Sequence, residues 1–433
     1  MIYRIRDYFI IMNVFLLLLF DAGYMQLRIP PSAVGVPLSE VILIAAIFTI
    51  LPLKLLAKLH SLKIFWPLVC WVIYSVLLVV YSSFDNGIRA FRDGLLVVES
   101  LYLLLGFIVA GKIRSRKIFE KYLKVVLFIG FVYILLFPLR YDLIAFVPHL
   151  TGAQGQSVPL FFTYTIAPLF LITASAYSIE VYKNTNLFRY AGFSAATLSW
   201  VLIVLPSRTV LLLVIVLIGF AVVDRGVKHT GKIIALLVIG FFAVLIFSQF
   251  DIGTKKLGIS GAGEYLRLFY EIFSVSDSDE TISSGNTIRY LWWGSVWDSM
   301  SSSWSTIVFG LGYGIPLTNF VVGNGVYVYE PHNTFFGVLG RGGLIGVVLF
   351  LWLHLTISYY AYKALKTRNV LALNSETTVA LTFIIISVFI YGLGESPLTV
   401  SFFSVPFYFS AGILVRAIYE RKKKDHISQN LQY

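Results

Sequence analysis

Apolar runs closed by short polar or basic connections repeat along the whole chain. They cover residues 8–24, 37–56, 64–82, 93–111, 122–139, 157–182, 188–206, 209–224, 232–249, 334–360, 375–394 and 398–416. Most are close to the ~20 residues with which a helix crosses about 30 Å of hydrocarbon. The pattern predicts an all-α polytopic membrane protein of about twelve transmembrane helices, because in lipid only helices and closed barrels satisfy their own backbone. One connection, 250–333, is far longer than the rest and lies between helices nine and ten. Within it Arg289, Trp292, Trp293, Val296, Trp297 and Met300 recur at the spacing of one helical face, which predicts an amphipathic helix on the membrane surface. The expected organisation is residues 1–249 as helices one to nine, 250–333 as a large outer loop with amphipathic helices, 334–416 as helices ten to twelve, and 417–433 as a basic tail.

Composition removes the soluble alternative: 58% of the 433 residues are hydrophobic and 13% charged, more apolar surface than a soluble core absorbs. Lysine and arginine fall on every second connection, among them Arg4 and Arg6, Lys112 to Lys124, Lys183 and Arg189, Arg225 and Lys228, Lys363 to Arg368, and Arg416 to Lys424. By the positive-inside rule these connections and both termini are cytoplasmic, and 250–333 is outside. The net charge of +12 then follows from topology, and nucleic acid is not an expected partner. The first run lacks a small-residue cleavage site and reads as a retained helix. The single cysteine, Cys70, excludes an internal disulfide.

The basic residues left on the outer side are Arg28, Arg89, Arg92, Arg140, Arg208, Lys255, Lys256, Arg267 and Arg289. Positive charge there opposes the insertion rule, and the preference for arginine suits bidentate recognition of phosphate or carboxylate. Arg208 lies in PSRT, the very short turn between runs seven and eight, with Thr209 beside it as a helix cap. Arg289 stands one turn before Trp292 and Trp293, whose commoner use is interfacial anchoring. His332 sits where the long loop meets run ten, between Pro331 and an N-capping Asn333, and an imidazole there can take a proton near neutral pH. Gly337, Gly340, Gly343 and Gly346 follow at three-residue spacing, which would let another helix approach closely. Glu395, in the turn GLGESP, is an outer carboxylate able to orient His332 or pair with an arginine. Asp277 and Asp279 form a D-x-D in a serine-rich stretch, read as a solvated turn and not a metal site.

The pattern His332, Asn333, nine residues, Gly343, two residues, Gly346, after a long outer loop late in the chain, resembles the O-antigen ligase and Wzy-type polymerase superfamily. The likeness runs from about residue 190 to 400 and, in topology, over the whole chain. It implies a GT-C-like glycosyltransferase of the bacterial cytoplasmic (inner) membrane, with its active site on the outer, periplasmic side. The resemblance assigns His332 to catalysis and Arg208 and Arg289 to the donor diphosphate, with Asn333, Glu395, Arg92 and Arg341 as supporting positions. It implies an undecaprenyl diphosphate-linked oligosaccharide donor, an acceptor glycan lipid, a chain-length regulator as protein partner, no metal and no cofactor. One departure is Arg341, where members often carry a glutamate two residues before the first glycine, so that acid is absent or moved. The expected activity is polymerisation of a surface polysaccharide by inverting transfer, with ligation to lipid A core as the alternative. A flippase or carrier is the rival of another class; such proteins usually show two similar halves with interrupted helices, and the sequence shows no such symmetry, its one large loop being off-centre.

Overall fold

The computed structural model describes residues 2–30, 35–50, 60–151, 157–204, 207–225, 285–318, 320–322 and 326–430, with isolated positions between 231 and 238. The ninth run and most of the long loop, with Lys255, Lys256, Arg267, Asp277 and Asp279, lie outside the described residues, as does the side chain of Arg208.

The described chain is mostly helical. Its helices are α1 Ile2–Met25, α2 Leu38–Ile50, α3 Phe65–Asn86, α4 Ile88–Val98, α5 Tyr102–Ala110, α6 Ile113–Leu135, α7 Arg140–Ile144, α8 Ala167–Thr185, α9 Phe188–Val204, α10 Arg208–Arg225, α11 Gly285–Met300, α12 Trp304–Phe309, α13 Thr334–Lys366, α14 Ser375–Tyr391 and α15 Ser401–Asn430. Three two-stranded hairpins stand between them, of which β1 Arg28–Ile29 with β2 Val36–Pro37 follows α1. Every expected run outside the ninth carries a helix. Among the described residues five helical stretches are long and apolar enough to cross a membrane, or six if the bent pair Ile113–Leu135 and Phe137–Ile144 is one span. The sixth run is shorter than its apolar length suggested: residues 157–159 pair as a strand, and α8 begins only at Ala167, ahead of Pro168.

Close backbone approach builds the centre. On the α5 and α15 pair, a β-carbon on Gly106 would collide with Phe409 O and one on Gly412 with Leu103 O, so the two helices cross at backbone contact. Phe107, Phe407 and Phe409 are fully buried beside that crossing.

The helix α13 is not continuous. At Gly343 the backbone turns to φ 60 and ψ −161, and the carbonyls just before the break lose their helical partners. A buried carbonyl without a donor is costly away from water, and here each finds one. Leu311 N donates to Gly340 O at 2.7 Å, Gly312 N to Arg341 O at 3.0 Å and the Tyr74 hydroxyl to Gly342 O at 2.6 Å. The glycine stripe admits both helices and this segment. Gly340 and Gly343 receive the segment at 308–317, Gly340 also meets Val296 of α11, and Gly342 and Gly346 face Tyr74 of α3, with Leu78 beside Gly342 and Val338 beside Gly346.

Gly343→Ala should destabilise the protein by about 1–3 kcal/mol, because that φ/ψ region is nearly glycine-only and the added carbon would strike Val308 O. The melting temperature of the purified protein in detergent should fall, whereas Gly346→Ala, whose nearest neighbour is 3.6 Å away, should not move it. An unshifted Gly343→Ala would contradict this account of the break.

Candidate active site

The helix α11 is amphipathic as its spacing predicts, but its apolar face meets protein. Trp292, Val296 and Met300 are buried, with Val296 and Met300 packed on Leu317. Gly340 of α13 makes room, since a β-carbon there would lie 3.0 Å from Val296 Cγ1. Trp297 and Trp304 remain exposed, so only they keep the surface position expected for the loop tryptophans. Trp293 stacks on Phe336 at 5.1 Å and donates through Nε1 to Pro331 O at 2.9 Å. That bond holds the residue just before His332.

His332 adopts φ 48, in the left-handed region that a side chain occupies at a cost of about 1–3 kcal/mol. Its neighbours compensate. Trp292 lies under the imidazole at a centroid distance of 4.9 Å. Asn333 caps α13, its Oδ1 accepting from Phe335 N at 2.9 Å and Phe336 N at 3.1 Å, while its Nδ2 donates to Leu393 O at 3.0 Å. Thr334 N also donates to Gly392 O. The start of α13 is thereby tied to the α14–α15 turn, which carries Glu395.

Glu395 is where the parts meet. Its Oε2 lies 2.6 Å from His332 Nδ1 and its Oε1 accepts from Arg289 Nη2 at 2.9 Å. These side chains are 40%, 44% and 32% exposed in the order Glu395, His332, Arg289, so the contacts add little stability and matter for what they position. A carboxylate on Nδ1 favours the tautomer with its proton there, which leaves the Nε2 lone pair as the basic site. Gly394 brings a third element in: a β-carbon on it would stand 3.7 Å from Arg289 Nη1 and 3.8 Å from Thr209 Oγ1. The first turn of α10, where Arg208 sits, is thus beside the Arg289 guanidinium. Ser207, not Thr209, caps that helix, accepting from Val210 N at 3.2 Å. A helix N-terminus with an adjacent guanidinium is a ready anion site.

Two of the supporting positions lie elsewhere. Arg92 pairs with Asp93 at 3.1 Å, and Asp93 Oδ2 accepts from the Tyr329 hydroxyl at 2.6 Å and Gly314 N at 3.1 Å. Burial, then Asp93, push the Tyr329 phenol up to about 12, so it stays a donor at neutral pH. Arg341 is buried, bonded to Glu330 Oε1 at 2.8 Å and Ile315 O at 2.6 Å. It clamps the loop before α13 and does not touch the His332 cluster. Both arginines line a cavity of about 700 Å³ on the α3–α4 side of α13. His354, in mid-helix, is satisfied by Phe350 O at 2.7 Å and Tyr408 at 3.2 Å, a structural role. Among the described residues no group of three or more His, Cys, Asp or Glu could hold a metal ion.

Sequence reasoning missed the Trp292 platform and the Glu330–Arg341 pair. The helical spacing of Arg289 and Trp292 was the available signal for the first; Glu330 stands in a loop without periodicity and offered none.

A family model described as O-antigen ligase (Wzy_C) matches residues 193–351, a segment that contains Arg208, Arg289, His332 and Asn333 and stops short of Glu395. Comparison with curated proteins gives no match.

His332→Ala should lower glycosyl transfer roughly 10²–10⁴-fold, the usual contribution of a positioned acid or base. Glu395→Gln, which keeps shape and loses charge, should also lower it, with both variants inserted and folded. Glycan transfer by the purified variants checks this, and a near wild-type rate for His332→Ala would refute the assignment.

Proposed function

We propose a reaction on the premise that residues 193–351 belong to the O-antigen ligase superfamily. The protein is then a membrane glycosyltransferase at the outer face of the bacterial cytoplasmic membrane, acting on lipid-linked glycans. The donor is an oligosaccharide on undecaprenyl diphosphate, and its diphosphate binds at Arg289, Arg208 and the first turn of α10. An acceptor sugar hydroxyl attacks C1 of the donor sugar, its proton passes to His332 Nε2, and the C1–O electron pair leaves with the diphosphate. Single displacement inverts the anomeric centre. Guanidiniums fixed at the leaving group stabilise its growing charge better than water does, and Glu395 steadies the imidazolium formed beside it.

The observation that carries this reading is the Glu395 carboxylate shared between His332 and Arg289, which sets a base and a phosphate-binding cation side by side. The same set of groups supplies the charge stabilisation that a metal gives in other transferases, so transfer should not require a divalent ion.

The acceptor is taken as a second lipid-linked repeat unit, which makes the enzyme a surface polysaccharide polymerase working with a chain-length regulator. Ligation to lipid A core would use the same residues. A deletion strain in a host that makes lipid A core distinguishes them. Polymerase loss should leave core bearing a single repeat unit and no ladder. Bare core with long polymer accumulating on polyprenyl diphosphate would instead establish a ligase, and absence of any exported repeat unit a flippase.

A further inference from the structure

We propose that the cavity of about 700 Å³ between α3, α4 and α13 is the acceptor site, taking a second lipid-linked glycan, one hydrocarbon chain with an anionic, hydroxyl-rich head. The proposal rests on the glycosyl-transfer reading above.

Its position is the first argument. None of the cavity's lining residues comes from α10, α11 or α14, the elements that frame Arg289 and the Thr209 turn. The two regions meet at the first turn of α13 and along the α14–α15 connection, whose Leu398 to Ser401 line the cavity just after Glu395. Thr334 belongs to both: it lines the cavity, and its hydroxyl donates to Glu395 O at 3.4 Å. Glu330, two residues before His332, lines the cavity as well. A two-substrate transfer needs a second site on the far side of the base from the donor, and this is the side the cavity occupies.

The wall chemistry is the second. One end of the cavity is polar, with Arg28, Arg92, Asp93, Tyr329, Glu330 and Arg341. The apolar lining, Leu78, Ile88, Phe91, Val97, Val338 and Phe350 among it, is interspersed with Glu40, Ser75, Thr399 and Ser401. Polar and apolar walls together suit a polar head followed by the first part of a hydrocarbon chain. The volume falls in the range of single small-ligand sites, room for the head and the first units of the chain, with the remainder of the chain left to the bilayer.

Unpartnered polar atoms point the same way. Glu330 Oε2 and Trp71 Nε1 are buried and without a hydrogen-bond partner, and both residues line the cavity. Such atoms are rare in native proteins and ask for a ligand or water. Gly337 leaves the space beside Glu330 Oε2 open, since even a β-carbon there would stop 3.4 Å short. A route from the bilayer is present too, because Ile88 and Phe91 of α4 line the cavity and are 67% and 50% exposed.

Native mass spectrometry of the full-length protein with undecaprenyl diphosphate as probe tests the proposal. Wild type should bind two molecules. Leu78→Trp and, independently, Val338→Phe fill the space between the apolar walls and should each leave one; that remaining molecule should be lost when Arg289→Ala is added. Arg289→Ala alone should also leave one. A single molecule on wild type would overturn the proposal, as would two on both cavity variants when their melting temperatures match wild type. Loss of both molecules from the folded cavity variants would make the cavity the donor's own groove and equally overturn it. Displacement of the Leu78-sensitive molecule by excess phosphatidylglycerol would mark it as bulk lipid, with the same consequence. Failure of the glycosyl-transfer reading would show differently, as an active His332→Ala enzyme with both lipid sites intact.

Discussion

The carboxylate of Glu395 joins side chains from three distant parts of the chain. It accepts from Arg289, 106 residues earlier, and contacts His332, 63 residues earlier. Being only half-buried, these contacts add little to stability, and the fold must hold them. It does so through backbone bonds from the α14–α15 turn to Thr334, through the Asn333 cap, and through Trp293 on Pro331. His332 is kept in a strained left-handed conformation by that frame. Strain of this kind persists where surroundings over-determine it, which is the condition for a fixed base.

The second constraint is the absence of water around broken backbone. Interrupting α13 at Gly343 releases carbonyls that must be satisfied inside the protein, and the segment at 308–312 with Tyr74 supplies the donors. The segment that answers this demand continues through Tyr313 into the loop held by Arg341 and Glu330. One helix break thus fixes the loop that roofs the cavity, and the unbroken first turns of the same helix fix the histidine. The proposed reaction accounts for this framing: with lipid-borne substrates, the reacting head must be placed at the surface while its chain stays in the membrane.

The helices were legible because a bilayer forces each apolar run to satisfy its own backbone. Asn333 was legible because a cap is decided within three residues. Arg289, His332 and Glu395 could each be singled out as outer polar groups, and Glu395 as a carboxylate able to orient His332 or pair with an arginine; it does both, and only the identity of the arginine, 106 residues away, was not encoded locally. The glycine stripe, read as room for a neighbouring helix, receives α3 and α11 and also the segment at 308–317; the α11 face was read with the right spacing and the wrong partner, since spacing says which side is apolar, not what covers it. Arg92 and Arg341, expected as supporting positions, stand instead on the cavity side of α13, paired with Asp93 and Glu330, a placement the sequence did not encode. The ninth run and the Asp277–Asp279 pair lie outside the described residues.

The central claim is that Arg289, Glu395 and His332 act as one unit. Transfer rates of the purified single, double and triple variants Arg289→Ala, Glu395→Gln and His332→Ala test it most directly, because groups that work together are strongly non-additive. The account predicts that His332→Ala alone costs nearly as much as the triple variant, with the further changes adding little. Losses that simply multiply across the three positions would contradict it.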